Sequence, residues 1–441
     1  MPLECPGPVN KYPKKLPAAL AILALSGSAF ADSSLIDLGR MLFFDAQLSL
    51  EGNQSCSSCH DPERAFSDPG TNDLSGAVSL GGDARSLGDR NAPSLTYAHL
   101  TPDFSEQGGE YTGGLFVDGR AATLAEQAKE PILNPIEMAL PDAQAVRDRV
   151  RQNPAYVEMF ERLLGPGSLA SSQAALQSVA TAIAAFESST EFAPFDSKYD
   201  RYLRGEATLS LDEELGRVLF FSTLVNCNQC HVLDAREDRS GEVFTNYRYH
   251  NIGLPVNRRV REANGLGVDH IDTGLLQNPR VKNNAQAGRF RVPTLRNVAV
   301  TAPYMHNGVF AELETAIIFY NKYLVGSDAS RTNPETGQPW GNAEVPQTVD
   351  LEILGAGQPL TDRHVRPLVA FLWTLTDQRY VDLLRDYRRM QLAALANRVG
   401  KNIAAHGRYF AGRERPKIFR QARGIELGEY PVDDFGEFFV I

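Results

Sequence analysis

Apolar residues recur at three- and four-residue spacing along much of the chain, which is the pattern of amphipathic helices. The clearest stretches are Ala143–Leu164, Ser171–Ser188 and Val365–Leu375. Ser210, with Glu213 three residues later, forms a capping box that opens a further helix. Alternation of apolar and polar positions, which would indicate strands, is scarce. The sequence therefore predicts an all-α protein.

Three segments of the chain occur twice in the same order. Leu38–Phe44 is matched by Leu215–Phe221, and a Cys-x-x-Cys-His motif follows each of them. Asn91–Leu95 is then matched by Arg291–Leu295. The repeat is far longer than the period of a solenoid, so it predicts one domain that has been duplicated. Helical spacing is interrupted near Glu191–Asp196, where we place the boundary between the copies.

The N-terminus has the pattern of a secretory signal peptide. Lysines precede the short apolar run Leu16–Leu25, and Ala29-Phe30-Ala31 offers a small-residue cleavage site. The run is too short to span a bilayer, and no later stretch is long and apolar enough to do so. We therefore expect export to the periplasm and no stable membrane insertion. An N-terminal core helix is the alternative interpretation.

Charge separates the C-terminal tail from the rest of the chain. The formal net charge of −10 argues against a nucleic-acid partner. Arg385–Arg423 is nevertheless basic and Glu426–Glu437 is acidic. We interpret this tail as a solvated extension, with a docking element for an acidic partner as the alternative. The predicted organisation is a signal peptide over 1–31, an N-terminal domain over 32–192, a C-terminal domain over 193–378 and an extension over 379–441.

The two Cys-x-x-Cys-His motifs are typical of covalent haem attachment. They consist of Cys56, Cys59 and His60, and of Cys227, Cys230 and His231. Each pair of thiols reaches the vinyl groups of one haem, and the adjacent histidine ligates the iron. A zinc site would need more Cys or His residues nearby, and a redox dithiol would not need the histidine. We therefore predict two covalently bound haems c.

The first haem is expected to keep an open position on its iron. Between His60 and Ser94 the chain has no second histidine and no methionine. His99, which follows, is interpreted as an ordinary surface or core histidine. The iron bound by His60 should therefore be able to bind peroxide.

These features resemble the bacterial dihaem cytochrome c peroxidase and MauG family over about Leu35–Tyr380. The motifs that carry the resemblance are Leu-Gly-Arg before each haem motif, Arg90–Leu95, Asp118–Ala121, Leu133–Met138 and Val292–Gly308. The fold that the resemblance implies is two all-α class I cytochrome c domains that face each other across a calcium site.

The resemblance also implies a distal pocket at the first haem, formed by Gln127, Pro131 and Glu137. Cleavage of a bound peroxide needs a proton taken from the inner oxygen and given to the leaving one. A pocket carboxylate such as Glu137 can do both. The alternative for Glu137 is a surface acid on a loop.

The distal ligand of the second haem separates two branches of the family. The peroxidases have Met fourteen residues after the His of the Pro-Tyr-x-His-x-Gly motif, whereas MauG-like proteins have Tyr. Counting from His306 gives Tyr320. A phenolate favours oxidised iron, and a thioether favours reduced iron. Met305 is the rival ligand, and a core aromatic residue is the alternative interpretation of Tyr320.

Two further correspondences concern the junction between the domains. The family's calcium ligands correspond to the side chain of Asn91 and the carbonyl oxygens of Thr301 and Pro303. All-oxygen coordination completed by water suits calcium, and ordinary turn residues are the alternative. The family's tryptophan between the haems is replaced by Val117. An indole can be transiently oxidised and relay a hole, whereas a valine cannot.

The resulting hypothesis is a dihaem MauG-like enzyme. Hydrogen peroxide would generate high-valent haem iron at the first site, and Trp or Tyr residues of a partner protein would then be oxidised. The main alternative is a conventional peroxidase that reduces hydrogen peroxide to water with electrons from a small cytochrome or copper protein. A non-enzymatic dihaem electron carrier is the third possibility, and it would require two six-coordinate irons.

Overall fold

The structure, a computed structural model, describes residues 35–233, 241–324 and 331–389. Two predicted segments fall outside this part of the chain. The signal peptide over 1–31 is one, and the charged tail beyond residue 389 is the other. Within the described ranges, no helix is long and apolar enough to cross a membrane.

The described chain is rich in helix and has little sheet, as the apolar spacing predicts. The helices of the first half are α1 (35–43), α2 (Cys56–Cys59), α3 (Leu124–Gln127), α4 (Lys129–Leu133), α5 (Ala143–Arg151), α6 (Pro154–Leu164) and α7 (Ser172–Glu187). Those of the second half are α8 (Lys198–Leu203), α9 (Leu211–Phe220), α10 (Arg258–Ala263), α11 (Leu313–Ile318), α12 (Leu351–Leu354), α13 (Asp362–Trp373) and α14 (381–389). Short 3-10 turns connect many of them.

In the described ranges, four short strands form two antiparallel pairs. β1 (Ser105–Gln107) pairs with β2 (Glu110–Thr112), and β3 (Tyr249–His250) pairs with β4 (Phe290–Arg291). The second pair is only two residues long, and it brings Tyr249 opposite Arg291.

Helix boundaries follow local capping chemistry. Ser210 and Glu213 form the predicted capping box at the start of α9. The predicted helical stretch Ala143–Leu164 is divided into α5 and α6. Asn153 caps α6 by accepting the amide N–H of Ala155 at 3.1 Å, and Pro154 occupies the first helical position. Proline has no N–H for a continuous helix but suits a helix start, so the chain turns here.

Apolar side chains form two main cores. The first is built largely from α1, α5, α6 and α7 and includes Phe43, Phe160, Phe186 and Phe192. The second is built largely from α9, α11 and α13 and includes Phe220, Phe244, Phe319 and Phe371. All of these phenylalanine side chains are almost fully buried.

The glycine of each Leu-Gly-Arg segment lies against a second helix in the same way. A Cβ on Gly39 would be 1.9 Å from the carbonyl oxygen of Ala182 in α7. A Cβ on Gly216 would be 1.9 Å from the carbonyl oxygen of Pro367 in α13. Only hydrogen fits at either position, so the two segments cross their partner helices at backbone distance.

Candidate haem sites

The first Cys-x-x-Cys-His motif lies on α2, a single helical turn. Ser55 caps it, and the amide N–H of His60 donates to the carbonyl oxygen of Cys56 at 2.9 Å. The Nδ1 atom of His60 lies 3.0 Å from the carbonyl oxygen of Phe66. Since a carbonyl only accepts, Nδ1 carries the hydrogen and Nε2 keeps its lone pair for a metal. Burial lowers the pKa of His60, which keeps the ring neutral.

The second motif repeats this arrangement. The amide N–H of His231 donates to the carbonyl oxygen of Cys227 at 3.0 Å, and its Nδ1 lies 2.9 Å from the carbonyl oxygen of Phe244. Burial lowers the pKa of His231 to about 4. Phe66 and Phe244 both have a positive φ, 52° and 56°, which turns each carbonyl towards its histidine. Both imidazoles are thus neutral, oriented and able to ligate iron, which fits the predicted haems.

Glu137 lies beside the first motif. Its charge is among those that raise the pKa of both Cys56 and Cys59. The loop that carries it folds back on α4, because the amide N–H of Met138 donates to the carbonyl oxygen of Pro131 at 3.1 Å. Burial raises the pKa of Glu137, while the charge of Arg120 opposes this shift. A half-buried carboxyl next to the haem motif is suited to holding and releasing a proton.

Gln127 and Pro131 lie on consecutive helices of the first half. Gln127 is the last residue of α3, and Pro131 is in the middle of α4, which follows after Ala128. Both side chains are half-buried. Hydrogen bonds around Pro131 place it next to the Glu137 loop. The backbone N–H of Gln127 donates to the carbonyl oxygen of Thr123 at 3.0 Å, which fixes the position of Gln127 at the end of α3.

Tyr320 lies beside the second motif. It belongs to a 3-10 turn, Phe319–Tyr323, that continues α11. Desolvation raises the pKa of Tyr320, and the charges of Cys230 and Cys227 raise it further, so the phenol is within electrostatic range of both thiols. The residue is 37% exposed. Met305 lies on a tight turn with φ 76°, where its carbonyl oxygen accepts the N–H of Gly308 at 3.1 Å.

The predicted calcium ligands lie in loops that touch each other. The Nδ2 atom of Asn91 donates to the carbonyl oxygen of Gly76 at 2.8 Å, which leaves Oδ1 available. The amide N–H of Asn91 donates to the carbonyl oxygen of His306, in the loop that also carries Thr301 and Pro303. Among the described residues, no group of three or more His, Cys, Asp or Glu could hold a metal ion. The oxygens expected here are amide and carbonyl oxygens, a donor set that fits calcium.

Val117 occupies the junction of the two halves. Its carbonyl oxygen accepts the amide N–H of Arg291, in β4, at 2.9 Å. The next residue, Asp118, is ion-paired with Arg90 at 2.6 Å, and Arg90 also binds Asp272 of the second half at 2.6 Å. The position that the family resemblance assigns to a tryptophan therefore does lie between the halves.

Two further titratable residues, Glu187 and His250, lie beside the haem motifs, and no sequence pattern predicts them there. Burial raises the pKa of Glu187, at the end of α7, to about 8, and its charge acts on Cys56. Burial would lower the pKa of His250, but the hydrogen bond to Asp350 and the nearby Cys230 raise it to about 9. Glu187 lies far along the chain from Cys56, and His250 follows Cys230 by twenty residues at no recognised ligand spacing, so spacing alone does not reveal them.

Comparison with known proteins identifies the family. A family profile described as di-haem cytochrome c peroxidase matches residues 33–208. Methylamine utilization protein MauG of Paracoccus denitrificans is 52% identical over 362 residues, which cover 82% of this chain and 93% of that protein. Cytochrome c551 peroxidase of Nitrosomonas europaea is 33% identical over 290 residues, 65% of this chain and 72% of that protein.

Solved structures agree with the sequence relatives. The diheme peroxidase BthA from Burkholderia thailandensis gives a TM-score of 0.67 at 33% identity and covers 79% of this chain and 87% of its own. A MauG-like protein associated with microbial copper homeostasis gives 0.57 at 31% identity and covers 78% and 90%.

The helix-rich fold with its two matched histidine sites defines a protein that holds two haem groups and performs peroxidase-type redox chemistry. The chain belongs to the di-haem cytochrome c peroxidase family, whose members include the MauG proteins. It is a haem-dependent oxidoreductase.

Proposed function

We propose that this protein uses hydrogen peroxide to oxidise aromatic side chains, Trp or Tyr, of a partner protein. The similarity to MauG of Paracoccus denitrificans over most of both chains supports this proposal. Bound haem supplies the iron that accepts peroxide and stores oxidising equivalents. The chain's own residues hold the haems, move protons and set the character of each iron.

The cysteines of the two motifs would attach the haems through thioether bonds, and His60 and His231 would ligate the irons. The neutral state and fixed tautomer of both histidines support these roles. A hydrogen bond from Nδ1 to a backbone carbonyl also raises the basicity of the ligating nitrogen.

Glu137 would act as the acid and base at the first site. Its raised pKa brings proton uptake and release closer to neutral pH than for an ordinary carboxyl. Gln127 and Pro131 would line the same pocket. Proline offers no side-chain ligand, so a pocket wall at Pro131 would keep the iron position open for peroxide.

Tyr320 is the observation that carries the choice of a MauG-like function over a conventional peroxidase. The charges of both thiols of the second motif act on its phenol, which supports a role for Tyr320 as an iron ligand at that site. A phenolate ligand would stabilise oxidised iron. The second haem would then hold oxidising equivalents for a slow partner, instead of accepting electrons from a small donor.

We further infer that the chain is a tandem pair of class I cytochrome c domains, over 32–192 and 193–378, that arose by duplication. The matched glycine contacts and histidine hydrogen bonds of the two halves support this. Calcium at Asn91, Thr301 and Pro303 would join the halves. Export to the periplasm is consistent with covalent haem attachment, which bacteria perform outside the cytoplasm.

Peroxide titration of the holoprotein and of Tyr320→Phe tests the proposal. We expect the native protein to form a long-lived oxidised state with one equivalent of peroxide, seen by optical and electron paramagnetic resonance spectroscopy. Tyr320→Phe should lose that state and the low-spin signal of the second haem.

Tyr323→Phe is the matched control, because Tyr323 lies on the same 3-10 turn and donates to the carbonyl oxygen of Gly253 at 3.2 Å. It should behave as the native protein does. Unchanged spectra in Tyr320→Phe, together with fast turnover of a small cytochrome, would instead favour the conventional peroxidase.

A further inference from the structure

A buried carboxylate joins the two halves of the molecule. The phenol of Tyr97 donates to Oδ1 of Asp377 at 2.6 Å, and Nδ2 of Asn297 donates to Oδ2 at 2.7 Å. Asp377 and Asn297 are 0% exposed, and Tyr97 is 1% exposed. A 2.6 Å O–H···O contact is in the range of a charge-assisted hydrogen bond.

Tyr97 and Asn297 are equivalent residues of the two repeats. Each lies four residues after the proline of its matched segment, Pro93 or Pro293. Both have left-handed backbones, with φ of 63° and 58°. Asn adopts this conformation readily, whereas a bulky residue rarely does. One repeat thus carries a tyrosine, in an unfavourable conformation, where the other carries an asparagine, and both bind the same carboxylate.

On one side, Tyr97 is connected to the first haem site. Leu95, two residues before Tyr97, donates its amide N–H to the carbonyl oxygen of Phe66 at 3.2 Å. That same oxygen accepts the hydrogen of His60 Nδ1. The path from the imidazole to the phenol therefore crosses two hydrogen bonds and a short stretch of backbone.

On the other side, Tyr97 is connected to the second haem site. The Arg296 guanidinium lies 5.3 Å from the Tyr97 ring centroid and 5.7 Å from that of Phe244. The carbonyl oxygen of Phe244 accepts the hydrogen of His231 Nδ1. Tyr97 is thus an oxidisable side chain connected, through Leu95 on one side and Arg296 on the other, to the residues whose carbonyl groups orient both histidines.

The surroundings of Tyr97 also provide for its proton. Burial raises the pKa of the phenol, so the ring is protonated before oxidation. Burial raises the pKa of Asp377 to about 6, so at neutral pH the carboxylate is ionised and more basic than an ordinary aspartate. Oxidation of a phenol makes it a strong acid, and a proton acceptor already in contact lowers the cost of removing the electron.

The phenol of Tyr249, which lies near Val117, donates to a backbone carbonyl and not to a carboxylate. Tyr249 pairs with Arg291, whose N–H donates to Val117, and its own phenol donates to the carbonyl oxygen of Gly113 at 2.6 Å. A peptide carbonyl does not retain a proton at neutral pH. Neither Val117 nor Tyr249 therefore offers the proton-coupled oxidation that the Tyr97–Asp377 pair does.

We propose that Tyr97 relays oxidising equivalents between the two haem sites, with Asp377 as its proton acceptor, an inference that rests on the proposed function. Tyr97 would give one electron to the haem site oxidised by peroxide, while its phenolic proton moves along the hydrogen bond to Asp377. The products would be a neutral tyrosyl radical and a neutral carboxyl. One electron from the other haem site would then reduce the radical, and the proton would return from Asp377 to the phenol oxygen.

The test is freeze-quench electron paramagnetic resonance of the holoprotein after one equivalent of hydrogen peroxide, with ring-deuterated tyrosine to identify the radical. The native protein should give a tyrosyl radical whose hyperfine splitting collapses on deuteration. Tyr97→Phe should lose this signal, and Asp377→Asn should lose it too, because an amide does not accept the proton. Optical spectra of the haems and thermal unfolding establish that each variant is folded.

Tyr156→Phe is the matched control, since Tyr156 is also buried and donates to a carboxylate, Asp45, at 2.8 Å, but it lies within the first half. Its radical signal should equal that of the native protein. Retention of the signal in Tyr97→Phe, its loss in Tyr156→Phe, or a tryptophan radical would overturn the relay. If the haem spectra respond to peroxide but no tyrosyl radical forms, the relay is overturned and the proposed function is not. Haem spectra that do not respond overturn the proposed function and the relay with it.

Discussion

At the scale of single residues, the site chemistry depends on how burial acts on a few titratable groups. Burial keeps His60 and His231 neutral and makes Glu137 a weaker acid. For the histidines this favours metal binding, since only the neutral ring ligates iron. For Glu137 it favours proton transfer, since a carboxyl with a raised pKa holds a proton more readily and is a stronger base when ionised.

Replacement of Glu137 by Gln should slow the reaction with peroxide by about 10²–10⁴-fold, the usual contribution of general acid–base catalysis. The amide has nearly the same size but does not exchange the proton. Stopped-flow spectroscopy of the holoprotein measures the rate. Glu126→Gln, at an exposed acid on neighbouring α3, is the control and should leave the rate unchanged. A native rate in Glu137→Gln would exclude this role.

The same rate should depend on pH in a defined direction. The pKa of Glu137 is raised above 4.5, and only its carboxylate form can take the proton from peroxide. The rate should therefore rise with pH through a midpoint above that of an ordinary glutamate. Glu137→Gln should abolish this rise, and a rise that persists in the variant would assign it to another group.

The sequence predicts the haem ligands at this scale but not the groups that tune them. Cys and His at fixed spacing identify both motifs. The carbonyl that orients His60 lies six residues downstream, whereas the one that orients His231 lies thirteen residues downstream. Both carbonyl groups are placed by a positive φ, at Phe66 and at Phe244. Phenylalanine has no preference for positive φ from which this could be predicted. Asp377 and His250 are likewise brought in by tertiary packing.

At the scale of elements, two close helix contacts hold the segments that precede the haem motifs. α1 crosses α7 at Gly39, and α9 crosses α13 at Gly216. The repeat and the helical spacing predict most of these helices from the sequence. They do not predict which helix each glycine meets, because that partner lies about 140–150 residues away and is chosen by shape.

Gly216→Ala should lower the free energy of unfolding by about 1–3 kcal/mol, the typical cost of overpacking. Alanine is preferred over glycine within a helix by about 1 kcal/mol. The added methyl group would, however, lie 1.9 Å from a backbone oxygen that has no freedom to move aside. Urea unfolding of the holoprotein measures the change.

Gly167→Ala is the control for this substitution, because a Cβ there meets nothing within 4 Å and its φ is not in the left-handed region. It should leave stability unchanged or raise it by about 0.4–1 kcal/mol by restricting the unfolded chain. If Gly216→Ala behaved in the same way, the backbone-distance contact between α9 and α13 would be wrong.

At the scale of the whole molecule, buried charges join the halves. Arg90 binds Asp118 of the first half and Asp272 of the second, and both carboxylates are almost fully buried. The resemblance marks the Arg90–Leu95 and Asp118–Ala121 segments as important. Asp272 lies outside every recognised motif, so the pairing across the halves follows only from the folded structure.

Arg90→Gln should destabilise the protein by about 3–5 kcal/mol, because two buried carboxylates lose a cationic partner. Differential scanning calorimetry of the holoprotein measures this loss. Arg204→Gln, which breaks an exposed pair with Glu206, should change stability by no more than about 1 kcal/mol. Equal effects of the two substitutions would contradict the bridging role of Arg90.

Acid should weaken the same junction. Burial alone would raise the pKa of Asp272, but the hydrogen bonds and charge of Arg90 lower it to about 2, against 3.8 ordinarily. The folded state therefore binds this proton less readily than the unfolded state. The stabilisation is complete above about pH 4 and is lost as the pH falls towards 2. Unfolding free energies measured across this window should show the slope, and Asp272→Asn should reduce it.

The position of Asp377 has a consequence for the order in which the molecule assembles. The first core closes within a contiguous stretch that ends at Phe192, whereas the second draws on residues up to Leu384. A chain that folds as it emerges, N-terminal part first, completes the first core while much of the second is still being made. Until Asp377 has been synthesised, the phenol of Tyr97 lacks its hydrogen bond to this carboxylate. The hydrogen bond between Tyr97 and Asp377 is therefore a late event in biogenesis, and a chain truncated before Asp377 would lack it while keeping the pairing of Arg90 with Asp272.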